Sequence, residues 1–323
     1  MSQPQEYTQE DLDELQTKST QFHDALFENP ITENNIIDII CSTTNEERQL
    51  IRGFYKKAYG HPIQNDINSQ LKDKLRQLSI DIFDTPYEYD ARELHTALNS
   101  FTNDDSVIIE IFSSRPSAYL EVVDQAYNNF FKISLKDEIK KHCGGEFGEF
   151  LIALMEVERP MEQTISGSDA YEFAEKLKNG GLASLGTDIE IFKTVFIDKS
   201  REDLILISRA YYDETKKNLY DAIENEVAGK NRRLLKAILF AIITPAQFFA
   251  KKISKAIQGL GGDYNTIRRV LISRAEIDMV AIKDYYYMET NNDLKDDIRD
   301  DNEDAYGQIL MRSEEHTSEL QSL

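Results

Sequence analysis

The sequence has no tryptophan, only two cysteines, and few glycines and prolines, 14 and 7 respectively in 323 residues. Cys41 lies in an apolar run and Cys143 precedes a Gly-Gly pair, so the two give neither a disulfide framework nor the ligand spacing of a metal site. Alternating apolar and polar runs bounded by turn residues, which β-strands would show, are also missing. The sequence therefore predicts a nearly all-helical protein.

Positive charge is scarce. The chain carries 37 lysines and arginines against 58 aspartates and glutamates, a formal net charge of -21. Because a phosphate backbone would be repelled, this charge argues against nucleic-acid binding. The same repulsion applies to an anionic membrane unless a cation bridges the two surfaces.

A long apolar run is also missing. The most apolar stretch, residues 234–243, contains Lys236 and is closed by Pro245, well short of the ~20 residues that span a bilayer. Residues 1–13 are polar and acidic, unlike a signal peptide. We therefore expect a soluble, cytoplasmic protein.

What the sequence does contain is a unit repeated four times. A tyrosine is followed eight residues later by isoleucine or leucine at intervals of 72, 84 and 75 residues: Tyr55 and Ile63, Tyr127 and Leu135, Tyr211 and Leu219, Tyr286 and Leu294. Twelve residues before each tyrosine, near the end of a helix-sized segment, stand Thr43, Arg115, Lys199 and Arg274. The three cations either neutralise helix C-terminal carbonyls or are exposed charges. In the fourth unit, Ser273 and Glu276 have the spacing of a capping box before a long aromatic-rich helix.

Two glycine-rich turns in the second half suggest a metal. Residues 257–263 read Ile-Gln-Gly-Leu-Gly-Gly-Asp, and Asp301 lies 40 residues beyond their second glycine. Residues 185–188 read Leu-Gly-Thr-Asp, and Glu226 lies 40 residues beyond their glycine. A glycine turn lets backbone carbonyls point inward around a hard cation, and a distant carboxylate supplies charged oxygens. The matched spacing favours two cation sites of one kind.

The four units, the glycine turns, the Ser-Arg pairs and the tyrosine spacing resemble the annexin repeat over about residues 19–311, most closely in the second half. The resemblance is to a divergent annexin, with the giardin-like proteins of protists as one alternative. It implies about five helices per repeat, a curved all-helical disc, and calcium sites on the convex face that docks onto anionic phospholipid. The expected divisions are a tail at 1–18, repeats at 19–90, 91–165, 166–248 and 249–311, and residues 312–323, which resemble a translated sequencing adapter.

The resemblance divides the repeats into two classes. Where the family has its second turn glycine, 25 residues before the tyrosine, stand Pro30, Thr102, Gly186 and Gly261. Where it has its calcium-binding carboxylate, 15 residues after the tyrosine, stand Gln70, His142, Glu226 and Asp301. Proline fixes its own φ, and imidazole is a poor ligand for a hard cation. We expect calcium in repeats three and four and none of this type in repeats one and two.

In repeat four the resemblance implies that the carbonyls of Ile257, Gly259 and Gly261 bind Ca²⁺ together with the Asp301 carboxylate. About six to eight oxygens surround this ion, so positions remain open for water or a lipid phosphate. The alternative is a helix C-cap that holds no metal. Leu260, at the tip of the turn, either enters the lipid interface or packs locally.

In repeat three the resemblance implies carbonyl ligands near Ser184 and Gly186, with the carboxylate of Glu226. The residue that supplies the first carbonyl stays open, because Gly181 or Leu182 could do so instead of Ser184. Leu185 is the counterpart of Leu260 at the tip of the turn. We expect Asp188 to cap the helix that follows, as Asp263 does in repeat four.

The acids left in the first half have two interpretations: Asp73, Asp104 and Asp105 form weak secondary sites, or they are solvated acids at helix ends.

The favoured function is calcium-dependent, peripheral binding to phosphatidylserine-like membranes on their cytosolic face. The alternative is a calcium-independent scaffold for cytoskeletal or other proteins that keeps the same fold. No nucleophile–base pair, phosphate-cradling loop or paired histidine motif is present, so we expect no enzymatic activity.

Overall fold

The computed structural model describes residues 6–180, 189–259 and 263–301. These residues form nineteen helices and contain no strand, which confirms the all-helical prediction. The helices of the first repeat are α1 (Gln9–Phe27), α2 (Glu33–Cys41), α3 (Asn45–Tyr59), α4 (Ile63–Gln70) and α5 (Asp73–Phe83). Those of the second are α6 (Pro86–Leu98), α7 (Asp105–Ser114), α8 (Ser117–Phe131), α9 (Leu135–His142) and α10 (Gly145–Glu156).

The second half follows the same order. The third repeat contains α11 (Gly167–Gly180), α12 (Ile189–Phe196), α13 (Arg201–Thr215), α14 (Leu219–Glu226) and α15 (Gly229–Ile243). The fourth contains, in its described part, α16 (Pro245–Gln258), α17 (Tyr264–Arg274), α18 (Met279–Thr290) and α19 (Leu294–Asp301). None of the helices in the described ranges is long and apolar enough to cross a membrane.

The chain divides into two compact units. One consists of the chain up to Pro86 together with the chain from Phe249 on, and so holds the first and fourth repeats. The other runs from Tyr87 to Phe248 and holds the second and third. In the second unit, one continuous cluster of buried apolar side chains extends from Ala91 to Leu239, so these two repeats share one core.

The four repeating tyrosines lie on the third helix of each repeat and are 2 % exposed or less. Three of them donate a hydrogen bond to an acid eleven residues later, on the fourth helix. The pairs are Tyr55 with Asp66 at 2.5 Å, Tyr127 with Glu138 at 3.5 Å, and Tyr286 with Asp297 at 2.5 Å. The spacing thus reflects a bond that fixes the fourth helix, whose last residue is the position of the predicted ligand acid.

The helix α1 begins at Gln9, inside the stretch 1–18 that was expected as a tail. A capping box explains the start: the Thr8 hydroxyl accepts from the backbone N–H of Asp11, and the Asp11 carboxylate accepts from the N–H of Thr8. The Thr8 hydroxyl and the Thr8 backbone N–H both donate to the Asp11 carboxylate, and these two hydrogen bonds lower the pKa of Asp11. Leu15, within the expected tail, is buried, as are Phe22 and Leu26 further along the same helix, so the helical part of the tail packs into the core.

The capping box predicted at Ser273 is wrong. The helix α17 continues to Arg274, and α18 begins only at Met279. Glu276 accepts instead from the backbone N–H of Asn45 at 2.7 Å, the first residue of α3. The Glu276 carboxylate, which the local pattern assigned to a helix cap, makes a tertiary contact instead.

The repeated cations are not simply exposed charges. Arg115 is buried and donates to the Asp90 carboxylate at 2.9 Å. Arg274 is also buried and contacts Asp278 at 2.7 Å. A different arginine covers the carbonyls at the end of α2, where Arg48 donates to the Ile40 oxygen at 3.3 Å.

Candidate functional site

The glycine turn of repeat four connects α16 to α17. Ile257 is the penultimate residue of α16 and is half-buried, whereas Gly259, just after the helix, is exposed. The backbone N–H of Asp263 donates to the carbonyl of Ala256 at 2.9 Å and closes the turn. The Asp263 carboxylate then accepts from the backbone N–H of Thr266 at 3.1 Å, which confirms its predicted role as the cap of α17.

Gly259 lies over the last carbonyls of α16. A Cβ atom there would come 3.4 Å from the Lys255 carbonyl oxygen and 3.8 Å from the Ala256 carbonyl oxygen, which are ordinary contacts. They are compatible both with a helix C-cap and with a turn whose carbonyl oxygens bind a hard cation. Gly261 and Leu260 lie outside the described residues.

The two predicted ligand acids occupy one position in their repeats. Glu226 is the last residue of α14 and Asp301 is the last residue of α19. Each therefore stands at the carboxyl end of the fourth helix, although both side chains are outside the described part. The third-repeat turn, with Ser184 and Gly186, and with Gly181, Leu182, Leu185 and Asp188, is likewise not among the described residues.

In the second repeat the structure describes both the loop between the first two helices and the end of the fourth helix. Its loop between α6 and α7 is closed as in repeat four, by a 2.8 Å bond from the Asp104 N–H to the Ala97 carbonyl. The side-chain amide of Asn103 donates to the carbonyl of His142 at 2.7 Å. Since His142 is the last residue of α9, the loop and the end of the fourth helix are in direct contact.

The chemistry of this contact is not that of a calcium site. An amide and an imidazole replace the turn glycine and the carboxylate, and His142 Nε2 lies 3.6 Å from the carboxylate of Glu138. Cys143 is buried beside them, and burial raises the pKa of its thiol to about 11. A hydrogen bond between Asn103 and the end of α9 thus occupies the place where the resemblance puts an ion in repeats three and four.

The first repeat keeps the loop closure without the ligands. The backbone N–H of Thr32 donates to the Ala25 carbonyl at 3.3 Å. Pro30 stands at the glycine position, and Gln70, at the acid position, is the last residue of α4. The first, second and fourth repeats therefore share one backbone hydrogen bond between residues seven positions apart, although their side chains differ.

Two of the three acids considered for secondary sites, Asp104 and Asp105, have other partners. Asp104 accepts from the backbone N–H of Ser106 and caps α7. Asp105 contacts Lys230 at 2.8 Å and Arg233 at 2.6 Å, and its side chain is only 11 % exposed. Among the described side chains, no three of His, Cys, Asp and Glu are grouped closely enough to hold a metal ion. A site formed by carbonyls and one carboxylate does not need such a group.

Asn103 is a residue that the sequence reasoning missed. Its contact with His142 joins positions 39 residues apart, and no local pattern marks it. The available signal was positional, because Asn103 immediately precedes the capping aspartate, where repeat four has Gly262.

Comparison with known proteins supports the repeat assignment. The Annexin family matches four segments of the chain, residues 20–82, 89–154, 172–238 and 248–312. Annexin A13 of Mus musculus is 30 % identical over 280 residues, which are 85 % of this chain and 87 % of that protein.

Solved structures show the same fold. Annexin III superposes with a TM-score of 0.89 at 25 % identity, covering 97 % of this chain and 95 % of its own. The calcium-bound structure of alpha-14 giardin gives a TM-score of 0.74 at 14 % identity, covering 93 % and 98 %, and so shows the fold alone. Four matched repeats and a full-length annexin relative establish that this chain belongs to the annexin family, whose general property is calcium-dependent binding to phospholipid.

Proposed function

We propose that this protein binds anionic phospholipid membranes in a calcium-dependent manner through the turns of its third and fourth repeats. The observation that carries the proposal is the contact between Asn103 and His142 at 2.7 Å. It shows that this repeat brings the first loop to the end of the fourth helix, where repeats three and four have a glycine turn and an acid.

The residues present suit a hard cation. In repeat four the carbonyl oxygens of Ile257, Gly259 and Gly261, with the carboxylate of Asp301, would hold Ca²⁺. When bound, the ion offers its remaining coordination positions to phosphate oxygens of the lipid, because it takes about six to eight oxygen ligands. The ligands that the chain supplies carry one negative charge in total. The site with its bound Ca²⁺ would therefore keep a net positive charge.

In repeat three the carbonyls near Ser184 and Gly186 and the carboxylate of Glu226 would form the second site. Both sites would present a positive ion to the lipid on a chain whose formal net charge is -21. An anionic membrane repels such a chain. Calcium at the turns offsets that repulsion where the protein meets the membrane.

The test is co-sedimentation with phosphatidylserine vesicles across a calcium titration. We compare the wild type with a variant that combines Glu226→Gln and Asp301→Asn. The matched control combines Glu121→Gln and Glu172→Gln, two exposed acids on α8 and α11. Both variants lose two negative charges, so a general effect of net charge would appear in both.

We expect wild type and control to bind with calcium and to be released by a chelator, whereas the Glu226→Gln, Asp301→Asn variant stays in solution. Equal binding by all three proteins would refute the assigned sites. No binding by the wild type at millimolar calcium would refute the membrane function and favour the protein scaffold.

A further inference from the structure

Phe101 is the most exposed large apolar side chain among the described residues, with a relative exposure of 105 %. It lies at the tip of the loop between α6 and α7. The surrounding sequence, Asn-Ser-Phe-Thr-Asn at 99–103, carries no charge. Single exposed apolar side chains are common on protein surfaces. What distinguishes Phe101 is the fixed loop that presents it and the charges around that loop.

The loop that presents Phe101 is fixed at both ends. Its backbone is closed by the Asp104 N–H and the Ala97 carbonyl, and the Asn103 amide ties it to the end of α9. Phe101 stands three residues before the capping Asp104, as Leu260 stands three residues before the capping Asp263. The ring therefore occupies the tip position of a calcium turn, in a repeat without the calcium ligands.

The elements that contact this loop carry exposed cations. Asp105, four residues after Phe101, contacts Lys230 and Arg233, and the His142 carbonyl that binds Asn103 follows two lysines at the end of α9. The cations are Lys140, Lys141, Lys230 and Arg233. The carboxylates beside them, each with a hydrogen-bond or ion-pair partner, are Asp104, Asp105, Glu138 and Glu146.

These four cations and four carboxylates leave the loop edge close to neutral, whereas the whole chain carries -21. The side chains of three of the cations are well exposed, at 62 % for Lys141, 43 % for Lys230 and 51 % for Arg233, and Lys140 is also exposed. Of the four carboxylates, Asp104 and Glu146 are exposed, whereas Glu138 is 3 % exposed and the Asp105 side chain 11 %. The exposed cations therefore outnumber the exposed acids at this loop, which favours an anionic partner.

We propose that Phe101 anchors the second repeat to anionic phospholipid membranes without a calcium ion of its own. Its ring enters the interface between headgroups and acyl chains, where aromatic side chains are favoured, while the lysines and Arg233 approach lipid phosphates. The proposal rests on the proposed function in one respect, because the loop has the same place in its own repeat as the calcium turns have in theirs and is taken to face the membrane as they do.

The absence of tryptophan permits a direct test. The Phe101→Trp variant carries a single tryptophan at the loop tip. The control is Met161→Trp, at a position 94 % exposed between α10 and α11 in the same compact unit. Emission is recorded at saturating calcium with phosphatidylserine vesicles, and the bound fraction is measured in parallel by sedimentation.

We expect the Phe101→Trp emission to shift to shorter wavelength on vesicles and to be quenched by brominated lipid, with no change for Met161→Trp. We also expect Phe101→Ser to weaken vesicle binding about tenfold without changing the number of calcium ions bound. Protein that sediments with vesicles while the Phe101→Trp emission stays unshifted would overturn this proposal and leave the proposed function intact.

If the protein does not sediment with vesicles in calcium, the Phe101→Trp emission at high lipid concentration tests the membrane anchor independently of the proposed function. A shift there supports the anchor although the proposed function has failed, and no shift overturns both. A concentration-dependent shift without vesicles would overturn the anchor by assigning Phe101 to contacts between copies of the chain.

Discussion

The second and fourth repeats close the same loop around different chemistry. The N–H to carbonyl closure measures 2.8 Å at Asp104 and 2.9 Å at Asp263. In the second repeat Asn103 donates to the end of the fourth helix, whereas the fourth repeat has Gly262 at the same place. The backbone thus defines where a ligand set can form, and under the proposed function the side chains decide between a hydrogen bond and a bound ion.

The two repeats also differ in the ion pair formed by the arginine that precedes the third helix. Arg115 pairs with Asp90, whose side chain is 1 % exposed, while Arg274 pairs with Asp278, whose side chain is 20 % exposed. The second repeat therefore depends on a buried ion pair for stability, and the fourth on one that water reaches.

The largest expected effect is the loss of stability when that buried ion pair is broken. Asp90→Ala leaves Arg115 buried without its counter-ion, which costs about 3–5 kcal/mol. Asp278→Ala in the fourth repeat costs less, because the Arg274 side chain is 10 % exposed against 5 % for Arg115 and water reaches the pair more freely. Urea unfolding followed by circular dichroism measures both, and equal losses would contradict the distinction.

The second prediction converts one repeat into the other. Combining Thr102→Gly, Asn103→Gly and His142→Asp gives repeat two the last two turn glycines and the acid of repeat four, while Ser100 stays, as Ser184 does in repeat three. We expect one additional calcium ion per chain and about a threefold lower calcium requirement for vesicle binding, because another attachment point is linked to the first two. Calorimetry counts the ions.

The control for this conversion is His142→Asp alone, which supplies the acid without the glycines. We expect it to add no calcium ion. An additional ion in this single variant would show that the turn geometry is not required.

A smaller effect is expected from Asn103→Ala, which removes the hydrogen bond to the His142 carbonyl. Such bonds contribute about 0.5–1.5 kcal/mol. The control is Asn129→Ala on an exposed part of α8, expected to stay within about 0.5 kcal/mol of wild type. An Asn103→Ala variant as stable as the control would show that the contact does not hold the loop.

The smallest effect concerns pH. His95 stacks on Phe131 with 3.6 Å between ring centroids, and its Nδ1 lies 2.9 Å from the Tyr127 hydroxyl. Burial lowers the pKa of His95 below 6.5, with Lys141 acting in the same direction against an opposing contribution from Glu138.

Below about pH 6.5 the unfolded chain therefore binds a proton at His95 more readily than the folded chain. The stability from the neutral ring is fully present above that pH and is lost as the pH falls towards the lowered value. We expect His95→Gln to lose less stability than wild type between pH 7.5 and 5.5, measured as urea midpoints. Identical pH profiles would contradict this assignment.

The sequence predicted the repeats and the helical class because the signals are local and periodic. The tyrosine spacing located the four repeats, and the predicted role of Asp263 as a cap is confirmed. Contacts between distant residues were out of reach, as for Asn103 and His142. The predicted cap at Ser273 failed for the same reason, since Glu276 binds Asn45 across 231 residues.

The most direct measurement of the central claim is a crystal structure of the protein grown in calcium, with anomalous diffraction to locate the ions. We predict one ion at the turn of residues 257–263 beside Asp301 and one at the third-repeat turn beside Glu226, with none at the loop of residues 99–104. An ion at that loop, or no ion at either glycine turn, would contradict the account.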